Sequence, residues 1–175
     1  MKKFRNALIG AAFLCAIMPQ MAYANMPSWE EIASDNQESH ILLEGELKSE
    51  NVTDNTARGI RLSTAILSIE NEEDGTLHII VNTLTHKDVD RIYQTVFLDM
   101  WDEDKETWNQ IGDWTFDKTK EETEDGKLSS NKVSFLVNGC EPNRYYRARA
   151  MHLVQWGDDM EGKATETDGV LLTNK

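Results

Sequence analysis

The stretch Arg91-Ile92-Tyr93-Gln94-Thr95-Val96-Phe97-Leu98-Asp99-Met100-Trp101 sorts its large side chains by the parity of their positions. Ile92, Val96, Leu98 and Met100 are even; Tyr93, Phe97 and Trp101 are odd. Successive side chains of an extended chain point to opposite faces, so the even set makes a core face and the odd set an aromatic row behind it. Residues 91–101 therefore read as a strand with its even face buried.

Working outward, the same texture recurs on both sides. Residues 102–106 make a turn, and 107–116 return with Trp108, Ile111, Trp114 and Phe116. Upstream, residues 60–69 and 76–85 flank an acidic turn in which Asp74-Gly75 supplies the positive φ of a tight hairpin. Leu77, Ile79 and Val81 share one face of the second run. Downstream, an acidic loop through Asp125-Gly126 precedes residues 129–137, where Val133, Phe135 and Val137 alternate. Residues 144–154 alternate Tyr146, Ala148 and Ala150 with Arg147, Arg149 and Met151. A last run, 163–172, is broken near Asp168-Gly169. Seven short strands with a turn signal between each pair and no long helical pattern predict an all-β sandwich over residues 59–173.

Ahead of it, residues 25–58 read as an acidic, mostly irregular segment. Ser28-Trp29-Glu30-Glu31 has the form of a capping box and predicts a short helix through Ile32. Ile41, Leu42, Leu43 and Leu47 form a small apolar group able to dock on a neighbouring surface. Residues 1–24 read as a secretory signal: Lys2, Lys3 and Arg5 precede a short apolar run, and Ala22-Tyr23-Ala24 has the small-x-small form that signal peptidase cuts after. The expectation is export with cleavage after Ala24. The apolar run is about 12 residues, short of the roughly 20 that a spanning helix needs, so no membrane insertion is expected.

The chain has 18 Lys+Arg against 31 Asp+Glu, a formal charge of −13. The first 24 residues hold three of the bases and no acid, so their removal leaves 15 against 31, or −16. Such an excess of acid argues against partners bound through phosphate, so no nucleic acid is expected. Cleavage also removes Cys15, leaving Cys140 alone and an internal disulfide impossible.

Tyr145-Tyr146-Arg147-Ala148-Arg149-Ala150 resembles the sixth strand of a fibronectin type III or related immunoglobulin-like domain. The resemblance implies that Tyr146 is the tyrosine of the corner before that strand, its hydroxyl bonding back to nearby backbone. It also implies that the third strand, residues 91–101, lies beside the sixth. The stretch from Gly59 to Leu172 further resembles a family of small exported proteins of Gram-positive bacteria known only as a domain of unknown function. The matching pieces are Asp74-Gly75-Thr76, Asp90-Arg91-Ile92, residues 108–114 and residues 145–150. The chain departs from the fibronectin pattern in lacking a Trp in its second strand. The resemblance implies a fold and export, and no reaction.

With the third and sixth strands adjacent, Arg147 and Arg149 point outward beside Tyr93, Phe97 and Trp101. Guanidinium groups over aromatic faces gain roughly 0.5–1 kcal/mol each at exposed sites. One reading has this ladder covered by the N-terminal segment through Ile41, Leu42 and Leu43. The other makes it a docking surface for an extracellular protein or glycan, since aromatic and Arg side chains dominate binding hot spots. Trp108 and Trp114, six residues apart on one strand and so on one face, are the candidate platform for a sugar.

Catalysis and metals have less support. His40, His78, His86 and His152 are scattered, and no nucleophile elbow appears. A hydrolase with a carboxylate pair stays open among so many acids. Glu70, Glu72 and Asp74 imitate the start of a calcium loop, but its twelfth position is Val81 rather than Glu. Asp99 with Asp102-Glu103-Asp104, and Asp158-Asp159 with Glu161, read as solvated turn charge. No cysteine pair or His-x-x-x-His spacing supports zinc. The sequence therefore predicts an exported, non-catalytic binding module without metal or cofactor, its binding residues being Tyr93, Phe97, Trp101, Arg147, Arg149, Trp108 and Trp114.

Overall fold

A computed structural model describes residues 27–33, 39–54 and 61–175. It contains one four-residue helix, α1 (Trp29–Ile32), and nine strands. These are β1 (Lys48–Asp54), β2 (Leu62–Asn71), β3 (Leu77–Thr85), β4 (Arg91–Asp102), β5 (Thr107–Thr119), β6 (Ser130–Val137), β7 (Tyr145–Trp156), β8 (Asp159–Glu166) and β9 (Val170–Leu171). The first sheet has the order β1-β2-β3-β6 and the second β5-β4-β7-β8, with β9 also on β7; every named pair is antiparallel. The chain is an all-β sandwich. Its signal-like residues 1–24 lie outside the described residues.

β4 keeps the expected parity. Ile92, Gln94, Val96 and Leu98 are buried between the sheets, and Tyr93, Phe97 and Trp101 face the other way. β4 lies beside β7, so the third expected strand does meet the sixth. The Tyr146 hydroxyl donates to the carbonyl of Glu141 at 2.9 Å, the corner bond that the fibronectin comparison implies. Burial pushes the pKa of Tyr146 up to about 12, so this hydroxyl keeps its proton and stays a donor.

Two expectations are corrected. The sandwich has nine strands rather than seven, because the last run splits into β8 and β9 and because β1 forms in the segment read as irregular. β1 pairs along its whole length with β2, from Lys48↔Glu70 to Asp54↔Thr64, so the sheet begins before residue 59. Val52 is the one apolar residue of β1, so no alternation of apolar and polar residues marks the strand. Leu42 also packs on the core, and a parallel bridge at Ile41↔Gly169 ties the segment to the second sheet.

The interior divides in two. Leu67, Ile69, Leu77, Ile79, Val81, Val96, Leu98 and Ala150 belong to one apolar cluster; Leu62, Ala65, Val89, Ile92, Leu128 and Val154 form the second. A polar band of Thr83, Gln94, Asn131, His152 and Thr165, all buried, crosses the space between the sheets.

Candidate functional site

Strand register brings six of the seven expected site residues onto the outer face of the second sheet. Trp101 stands opposite Trp108, Phe97 opposite Arg149, and Asp99 opposite Arg147. The centre of this face is a carboxylate. Asp99 is 1 % exposed and takes both arginines: Arg149 donates from Nε and Nη2 at 2.7 and 2.9 Å, and Arg147 from Nε at 3.0 Å. Arg147 Nη1 also donates to Glu166 Oε1 at 2.6 Å, and Arg149 Nη2 to Gln110 Oε1 at 3.2 Å.

Aromatic rings close the ladder above and below. The Arg149 guanidinium lies 5.0 Å from the Trp29 ring and 5.1 Å from Phe97, whose rings meet edge-on at 6.2 Å. Arg147 lies 4.7 Å from Trp108, which meets Trp101 at 5.1 Å across the hairpin. Gly169 has no room for a side chain, since a Cβ there would fall 2.5 Å from the Trp108 ring. Tyr93 has a guanidinium of its own, Arg91 at 5.6 Å, which also grips Asp117 through two donors.

The N-terminal segment does cover this face, but through α1 rather than through Ile41, Leu42 and Leu43. Trp29 supplies the cover over Phe97 and Arg149, and Ile32 packs over Gly162 beside Leu153. Leu43 is 77 % exposed, and Leu42 packs on the core between the sheets. The arginine donors expected to reach a partner are directed at Asp99, Glu166 and Gln110 instead.

Trp114 is the residue that the register takes elsewhere. Between Leu98↔Gly112 and Asp99↔Gln110 the ladder skips Ile111, a bulge in β5. One extra residue inverts the parity of everything beyond it. Trp108 therefore points outward, while Trp114 points inward and stacks on Phe135 at 5.1 Å in the first apolar cluster. The two do not form a sugar platform.

Several other titratable groups have local partners. Asp102 is held low by a hydrogen bond from Lys105, and Glu161 accepts the backbone N–H groups of Arg61 and Leu62 at 2.7 and 2.8 Å. Burial raises the pKa of the Cys140 thiol, which favours its protonated form. His152, read as lying at the core edge, is fully inside: burial lowers its pKa to about 3. Thr83 Oγ1 accepts from Gln94 Nε2 at 2.8 Å and also pairs with His152 Nδ1 at 2.8 Å, and His152 Nε2 pairs with Thr165 Oγ1 at 2.9 Å, so each ring nitrogen has a hydroxyl partner. That ring is neutral and spoken for.

The sequence reading missed a different face. On the outer side of the first sheet, register places Val52 beside Ile66, with Ile80, Leu84 and Leu136 on the same side of β3 and β6. Val52 is 49 % and Leu136 58 % exposed. The same face holds Asn82, whose Oδ1 is buried without a hydrogen-bond partner among the described residues. The signal existed in the even positions of residues 76–85, but Leu77, Ile79 and Val81 drew the reading to the odd ones.

No protein-family model and no curated protein matches this chain.

Proposed function

We propose that this protein is an exported, non-catalytic binding module that docks a protein partner on the outer face of its first sheet and the adjoining edge of β6. The observation that carries the reading is the aliphatic set Val52, Ile66, Ile80, Leu84 and Leu136, interspersed with Ser68, Asn82, Lys132 and Ser134, on a sheet face with no covering element among the described residues; Val52 and Leu136 are its exposed members. Soluble proteins seldom leave contiguous apolar surface open, and where they do it marks a site of interaction. The aliphatic side chains of this face offer a partner burial and shape. The unpaired Asn82 acceptor suits a donor on the partner, because a buried acceptor left without one costs about 1–3 kcal/mol.

The edge of β6 supports the same surface. Edge strands are normally protected by charge, and β1, β5 and β8 each carry at least two acids. β6 carries none, in a chain with 31 acids, and its one charge is Lys132. Among the described residues its outer backbone edge pairs with no strand, which leaves it open to an added strand from a partner. Export rests on the basic start, apolar run and Ala22-Tyr23-Ala24 site of the sequence.

The test is affinity capture from the native culture medium with wild type and with Val52→Glu/Leu136→Glu, two positions that point into solvent. The expected result is a protein retained by the wild type and lost by the variant, with an unchanged melting temperature in the variant. Identical capture by both proteins would overturn the reading. Glycan-array binding that survives in the variant would overturn it as well.

A further inference from the structure

Strand pairing at the end of the first sheet assembles a set of ligands that no sequence spacing announces. Glu70 on β2 stands opposite His78 on β3, and Glu72 follows Glu70 at the next outward position. One carboxylate oxygen from each glutamate and one imidazole nitrogen lie within 4.8 Å of one another. His78 Nδ1 is 2.9 Å from Glu72 Oε1, and on the far side of the ring Nε2 is 2.7 Å from Ser134 Oγ on β6. Glu72, His78 and Ser134 border an open hollow of about 440 Å³, lined also by Asp74, Thr76 and Leu136.

We propose that Glu70, Glu72 and His78 bind one divalent transition-metal ion of the zinc class, with His78 Nδ1 as the nitrogen ligand. Zinc bonds to imidazole nitrogen and carboxylate oxygen at about 2.0–2.2 Å, so two ligands at a tetrahedral angle stand about 3.3 Å apart. The Nδ1 to Oε1 pair at 2.9 Å needs to open by only a few tenths of an ångström to admit the ion.

Ser134 is what separates this group from a patch of acids. Without metal, Nδ1–H donates to the Glu72 carboxylate and the Ser134 hydroxyl donates to Nε2. With metal, the ring proton moves to Nε2 and the hydroxyl rotates to accept it, since a hydroxyl serves as either donor or acceptor. A metal-bound histidine is normally oriented by such a partner on its second nitrogen. Water from the hollow completes the coordination. Calcium, which takes six to eight oxygens, is poorly served by two carboxylates and an imidazole. The site adjoins Leu136 but does not depend on the docking role.

Isothermal titration of the tag-free protein with Zn²⁺ tests this, together with nitrogen-15 shifts of the His78 ring. The expected result is one ion per chain, with a shift at Nδ1. Affinity falls by at least about tenfold in His78→Ala and in Glu70→Gln/Glu72→Gln, whereas His86→Ala, on the β3–β4 connection, binds like the wild type. Ca²⁺ in equal amount does not displace the ion. Undiminished Zn²⁺ affinity in His78→Ala overturns the proposal. So does displacement by equimolar Ca²⁺, or no measurable Zn²⁺ binding by the wild type.

Discussion

One carboxylate, Asp99, holds two guanidinium groups at 2.7–3.0 Å while almost wholly removed from water. Its parity is that of Tyr93, Phe97 and Trp101, so the alternation that revealed the aromatic row also placed an acid between the two arginines. Read along the chain, Asp99 belonged to a run of turn charges; read across the sheet, it is their counter-ion. Replacing it by Asn keeps the shape, takes from Arg149 the carboxylate it grips and leaves Arg147 with Glu166 alone. Breaking a buried pair from one side costs about 3 kcal/mol. Asp99→Asn is expected to lose about that much by urea denaturation, although removing an acid from a chain of charge −13 relieves self-repulsion. A loss below 1 kcal/mol would show that the ladder adds little to the fold.

A four-residue helix has no stability of its own, so α1 exists because of what Trp29 and Ile32 touch. The edge-on ring pair with Phe97 and the cation–π contact with Arg149 together are worth about 1–2 kcal/mol. Trp29→Ala is expected to lower stability by that amount while leaving the sandwich folded, and to speed hydrogen exchange at the Ala33 amide, which donates to Trp29 O at 2.8 Å. Unchanged exchange there would mean that the cover is held by Ile32 alone. At this scale the sequence was legible in the existence of β2 to β7, the hairpin at Asp74-Gly75 and the capping box, and the pairing of β4 with β7 followed from the fibronectin resemblance. It failed where the pattern is carried by polar residues, as in β1. It failed again where one inserted residue changes parity, since a bulge at Ile111 leaves no mark in composition. Trp114 was thereby placed on the wrong side, and with it the platform expected for sugars. The outer face of β3 was missed because a strand apolar on both sides has no single parity to read.

Across the whole molecule, the two apolar clusters are joined by the polar band that runs from Gln94 and Asn131 through Thr83 to His152 and Thr165. Thr83 belongs to the first sheet and His152 to the second, so this chain of bonds fastens one sheet to the other through a neutral imidazole. The neighbours of His152 across β4 and β8 are Gln94 and Lys163, so no acid stands opposite to welcome a positive charge. Burial holds the folded pKa at about 3, below the ordinary 6.5 that the ring regains on unfolding. The unfolded state therefore takes up a proton below pH 6.5 that the folded state refuses until about pH 3. Stability is full above pH 6.5 and is lost as pH falls through that window, by about 1.4 kcal/mol per unit and so about 2 kcal/mol by pH 5. His152→Gln keeps one acceptor and one donor for the two threonines but cannot titrate. Urea midpoints measured from pH 8 to pH 4 are expected to fall more steeply in the wild type than in this variant, even if the variant starts lower at pH 8. Parallel curves for the two proteins would mean that the ring is not what couples the sheets to acid.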